Sequence, residues 1–173
     1  MTSLSLLRCV LALAVMAGAG ECAAAPVGEL FVKEGKGGAP CFTISESEER
    51  RGGTPDFQAI TVSEQGSKVA LWKMAMPAHR TFPVTVRMCI PYAGRVPVLP
   101  QTPAAPLEAG KVYDVAINAR GQRASKAPRD YRARFCLVRA DGALQVRNLP
   151  MNSSKQRAAC EKAAKGQRSA LER

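Results

Sequence analysis

The side chains of this 173-residue chain with the most chemistry in reach are its cysteines, a single histidine and one acidic run. Cys41, Cys89, Cys136 and Cys160 lie in the body of the chain, none of them in a C-x-x-C, and His79 is the only imidazole. Zinc sites need clustered cysteines and histidines, and redox dithiols need the C-x-x-C spacing. The chain supplies neither, so its cysteines read as disulfide formers, and no metal or cofactor is expected. Four cysteines allow three pairings, and the residues by themselves do not choose among them. Nucleophilic catalysis finds no support either. Ser67 follows Gly66 but lacks the closing glycine of a G-x-S-x-G elbow. Ser45, Glu46, Ser47, Glu48 and Glu49, followed by Arg50 and Arg51, read as a solvated acidic loop rather than a catalytic dyad. Gly35-Lys36-Gly37-Gly38 lacks the strand and helix of a phosphate loop. The expectation is a protein that is not an enzyme.

Disulfides need an oxidising compartment, and the first residues point to one. Arg8 gives a short positive region, and Cys9 to Ala19 is an uncharged apolar run. Cys22-Ala23-Ala24 then offers small residues to a signal peptidase. This is the layout of a secretory signal, too short for a spanning helix. Cleavage is expected after Ala24, which frees a soluble periplasmic chain starting at Ala25-Pro26. The competing reading is a lipid anchor on Cys22, and Glu21 fits badly in the site that such processing requires. The domain organisation expected is a signal over residues 1–24, one β-domain over 25–150 and a basic helical tail over 151–173. Nearly all of the +11 excess sits late, because Ala119 to Arg173 alone carries a net +10. In an exported protein this favours an anionic envelope component or an acidic protein over nucleic acid.

These residues must be positioned by strands. Glu29–Lys33, Cys41–Ile44, Phe57–Val62 and Lys68–Met76 are apolar or β-branched runs between turn residues. The clearest period of two is Phe82 to Ile90, which predicts one half-buried antiparallel strand. Pro91, Pro97, Pro100, Pro103 and Pro106 then make Pro91–Gly110 a stiff surface excursion and a candidate binding loop. Leu107, Gly110 and Tyr113 entering a strand with Val115 and Ile117 match a tyrosine corner, in which the phenol bonds back to upstream backbone. Tyr131–Arg139 alternates again, and Ala140-Asp141-Gly142 turns it into Leu144–Leu149. The fold class expected is all-β, an immunoglobulin-like antiparallel β-sandwich with one short C-terminal α-helix. Ser153 and Gln156 would cap that helix. Tyr113 and Trp72, the only tryptophan, take structural roles.

Alternation also places the cysteines. Cys41 shares a face with Thr43, Cys89 with Thr85 and Arg87, and Cys136 with Arg132 and Arg134. All three fall on outer, polar faces, which predicts staples between neighbouring segments or from a sheet to the tail helix.

The order Cys41-Phe42-Thr43-Ile44, Phe57-x-Ala59-Ile60-x-Val62, Cys89-Ile90-Pro91 and Gly110-x-x-Tyr113-x-Val115-x-Ile117 resembles a family of small exported bacterial proteins, the type VI secretion immunity periplasmic lipoproteins. The resemblance spans roughly Cys41 to Leu149. It implies a β-rich periplasmic domain whose conspicuous cysteine pair is Cys41 and Cys89, which leaves Cys136 for Cys160. It also implies a binding protein that neutralises a protein toxin by occluding it. The chain departs from the family at Glu21, in its Pro-rich loop and in its basic tail. The alternative is an envelope structural protein that holds anionic cell-wall or lipopolysaccharide groups through its last third. On chain entropy each disulfide would contribute about 3–4 kcal/mol. Reduction is expected to free the tail before it unfolds the body.

Overall fold

The computed structural model describes residues 26–120, 127–140, 142–151, 158 and 160. The signal segment, the proposed cleavage site and the capping residues Ser153 and Gln156 lie outside the described residues. So does the tail beyond 151, apart from Ala158 and Cys160, which are both helical.

The chain is built from β1 (Val27–Glu34), β2 (Pro40–Ile44), the short helix α1 (Glu46–Gly52), β3 (Asp56–Glu64), β4 (Ala70–Ala75), β5 (Phe82–Pro83), β6 (Ile90–Pro91), β7 (Val112–Arg120), β8 (Asp130–Ala140) and β9 (Ala143–Leu149). Among the described residues it is all-β apart from α1, one 3-10 turn at Lys36–Gly38 and the two helical tail residues. Strict alternation drives most strands. Gly28, Leu30 and Val32 of β1 are buried, while Phe31 and Lys33 face out. In β8, Tyr131, Ala133, Phe135 and Leu137 are buried on one face.

The strand order is β4-β3-β7-β8-β1-β2-β6, with β5 also on β3 and β9 also on β8. Neighbours are antiparallel except β1 and β8, which run parallel over Val27–Glu29. The immunoglobulin-like sandwich needs two facing sheets. The structure has instead one curled mixed sheet, a half-barrel. Phe42 of β2 and Trp72 of β4 sit near opposite ends of the strand order, yet their rings lie 6.5 Å apart across the interior. Two register shifts in β3, between Phe57 and Ala59 and between Val62 and Ser63, assist the curl, because an extra residue bends and twists its strand. The bulge sets the inward residues Phe57 and Ile60 three positions apart, not two.

The expected continuous strand over Phe82–Ile90 is broken. Phe82–Pro83 pairs with β3, Ile90–Pro91 pairs with β2, and a turn closed by Met88 N–H to Thr85 C=O separates them. The backbone between is satisfied by side chains. Thr43 Oγ1 donates to Thr85 C=O (3.0 Å), Lys33 Nζ donates to Val86 C=O (3.0 Å), and Val86 N–H donates to Glu49 Oε1 (3.0 Å). The segment therefore crosses the outside of β2 and joins the two margins of the half-barrel. Glu49 belongs to α1, so the acidic run expected as a loop is a helix. Ser45 caps it by accepting from Glu48 N–H (3.3 Å), and Glu48 is buried with Arg51 bound to both its oxygens (2.6 and 2.8 Å).

The inner core joins Phe42, Ile44, Phe57, Ile60, Trp72, Tyr113, Ile117, Phe135 and Leu137. Truncating one of these aromatics to alanine would cost about 3–5 kcal/mol. A second cluster, Val112, Cys136, Val138 and Cys160 with Leu149 against it, lies on the outer face of β7 and β8.

Candidate functional site

The disulfides are Cys41–Cys89 and Cys136–Cys160, with Cα atoms 5.4 and 6.2 Å apart. The first ties β2 to the crossing segment. The second ties β8 to the tail. The outer-face placement needs one correction, since an outer face is not an exposed one here. Cys41 and Cys136 are 5% and 0% exposed, because the crossing segment covers one, and Cys160, with Val112, Val138 and Leu149, packs against the other. Cys89 alone of the four is exposed.

Tyr113 sits in the inner core with its hydroxyl on the chain just before β7. Glu108 N–H donates to it (2.7 Å), and it donates back to Glu108 C=O (3.2 Å). The local geometry of a tyrosine corner is thus present within a half-barrel. Burial raises its phenol above the ordinary value, as it does for Tyr131.

The Pro-rich loop has a definite job. It lies along the free edge of β4 and occupies its backbone groups. Ala75 N–H donates to Pro100 C=O (2.9 Å), Thr102 N–H to Lys73 C=O (2.9 Å) and Ala105 N–H to Leu71 C=O (3.0 Å), while Lys73 N–H donates to Thr102 Oγ1 (2.9 Å). The prolines leave the outer edge of this strap short of donors, which blunts pairing with another chain. Tyr92 fastens both ends. Its hydroxyl donates to Ala105 C=O (2.7 Å), and its ring meets Trp72 edge-on at 5.4 Å. Burial first, and the nearby Tyr113 second, push its phenol up to about 12. The strap's tip turns outward, with Val96 40% and Val98 81% exposed.

Between strap and sheet lies a cleft of about 460 Å³. It is lined by Trp72 of β4 and, from the strap, by Ala93, Arg95, Gln101, Thr102, Pro103 and Ala104. Ala93 holds a left-handed backbone, φ 58°, and Gly94 follows because a Cβ there would stand 2.8 Å from the Pro91 ring. Trp72 is therefore more than a core residue. Arg95, Gln101, Thr102 and Tyr92 were not individually readable as site residues. The proline spacing marked their loop, and only its folding against β4 brings them to Trp72.

His79 is exposed on the turn from Pro77 to Arg80. It has no place in the cleft. Among the described residues no group of three or more His, Cys, Asp or Glu could hold a metal ion, and no helix is long and apolar enough to cross a membrane. The chain matches no family model, no curated protein and no solved structure.

Proposed function

We propose that this is an exported, periplasmic, non-enzymatic binding protein of the immunity type, which occludes a protein toxin with the Pro-rich strap. The observation that carries the reading is the strap itself. Its backbone is bonded to β4 from Leu71 to Ala75, Tyr92 clamps it, and Val96 and Val98 still project. A loop ordered before contact loses little entropy on binding, and projecting apolar residues supply contact area. The motif order from Cys41 to Ile117 supports the immunity reading by its resemblance to that family.

The test is to identify a candidate effector among the products of neighbouring genes and to co-express it with this chain, in cells that effector arrests. The protein should restore growth and co-purify with the effector, and Val96→Asp with Val98→Asp should weaken the complex by about tenfold or more. No complex with the effector, or a complex indifferent to the double variant, overturns the proposal. Salt-sensitive binding to anionic vesicles through the basic last third, without protection, would instead favour the envelope role.

A further inference from the structure

We infer that the Trp72 cleft is a receptor for a carboxylate carried by an extended acidic peptide of the partner. This deepens the proposed function, because it names what the partner inserts beside the strap.

The polar groups of the cleft are mostly donors. Arg95 is exposed and forms no ion pair among the described residues. Its guanidinium donates only. Trp72 is 1% exposed, and its indole N–H makes no hydrogen bond among the described residues. Thr102 Oγ1 already accepts from Lys73 N–H, which leaves its proton to donate. Gln101 Nε2 is engaged with Val96 C=O at 3.0 Å and holds the strap tip in place. Against these donors the side chains of Ala93, Pro103 and Ala104 are apolar.

One cation, the Thr102 hydroxyl and apolar walls fit a single negative charge on a short hydrocarbon stem. A phosphate, with close to two charges at neutral pH, would call for more cations than Arg95 alone. The volume of about 460 Å³ lies within the range of ordinary ligand sites. Arg95 of the cleft precedes the exposed Val96, whose C=O accepts from Gln101 of the same cleft. A peptide that places an acidic side chain against Arg95 therefore lays its neighbouring apolar residues on the strap tip. A free small acid would leave that surface unused.

The single tryptophan of the chain makes occupancy directly visible, because its fluorescence reports on this cleft alone. The full chain is titrated with acetyl-Leu-Glu-Leu-amide, its glutamine analogue acetyl-Leu-Gln-Leu-amide, and free glutarate. The glutamate peptide should give a saturable change in emission. The glutamine peptide, glutarate and the Arg95→Gln protein should each bind about tenfold more weakly or worse. Arg95 is exposed, so its substitution should leave the fold intact, which near-ultraviolet circular dichroism checks. No saturable change, equal binding of the glutamine peptide, or full affinity in Arg95→Gln overturns the inference. Glutarate binding as tightly as the glutamate peptide overturns the peptide part and leaves a small-acid site. The growth test of the Val96 and Val98 variants does not depend on these titrations, so the strap reading and the cleft assignment fail separately.

Discussion

Tyr113 spends its hydroxyl twice on one residue, as acceptor from Glu108 N–H and as donor to Glu108 C=O. Tyr113→Phe keeps the ring packed on Phe135 at 5.5 Å and removes both bonds. It should cost about 1–2 kcal/mol in urea unfolding at neutral pH. Retained wild-type stability would show that water takes over both groups. This motif was legible because its parts are close in sequence: a leucine, a turn glycine and a tyrosine opening a strand. Ala93 makes the opposite point. Nothing in Tyr92-Ala93-Gly94 says which residue takes the positive φ, and it is alanine that does. Ala93→Gly should relieve that strain and leave stability unchanged or raised by up to about 1 kcal/mol, read as a shift in denaturation midpoint.

At the scale of elements, access decides the order in which the disulfides open. Thiol exchange needs an attacking thiolate to reach a sulfur. Cys89 is exposed, whereas Cys136 and Cys160 are 0% and 1% exposed. Under mild reductant followed by alkylation and peptide mapping, Cys41 and Cys89 should be labelled before Cys136 and Cys160. The expectation from the sequence, that reduction frees the tail before it unfolds the body, concerns what each bridge holds, whereas the order of opening follows from access. Labelling of Cys160 first would overturn this order. Replacing Cys136 and Cys160 together by serine should cost about 3–4 kcal/mol by chain entropy. The acidic helix was partly legible, since Ser45-x-x-Glu48 is a capping-box pattern that outweighs the solvated-loop reading. The Phe82–Ile90 segment was not. Val84 and Ile90 are buried as its alternation requires, but Met88 is 39% exposed, because the turn between Thr85 and Met88 breaks the period; alternation in sequence does not say what a segment pairs with.

For the whole molecule, curling brings distant edges together, and one side chain stitches a gap that the curl leaves. After Glu29, β1 parts from β8, and β9 comes alongside β8. Asn148 Nδ2 donates to Val32 C=O (2.7 Å), and its Oδ1 accepts from Val32 N–H (2.9 Å), so the amide stands in for a missing strand neighbour. Asn148→Ala should cost about 1–3 kcal/mol, since it leaves that pair unmet, while Asn148→Gln should not restore it fully. Alkaline stability is a second property of the whole. All three tyrosines of the chain are raised by burial, Tyr92 to about 12. In the unfolded chain they lose protons near 10. Between that value and the folded value the folded state holds more protons, so stability falls as pH rises. It should be fully present below about pH 10 and lost on the way to about pH 12. In ultraviolet titration tyrosinate should form together with unfolding. A phenol that ionises near its ordinary value while the fold persists would contradict this.

The strands, their inward faces, the tyrosine motif, the stiff proline segment and the all-β class are local in origin. They follow from a period of two and from residues that restrict φ or lack an N–H, so the sequence by itself determined them. Partner choice between strands is not local. Two alternating segments look the same whether they meet across a sandwich, neighbour each other in one sheet or, like 85–89, cross outside a strand. Only the tertiary structure decided that the sheet curls into a half-barrel and that β1 lies parallel to β8. It alone covers Cys136 and sets Trp72 in one cleft with Arg95 and Thr102. Each of these depends on summed burial and on the pairing of backbone groups far apart in the chain, which no short stretch of residues encodes alone.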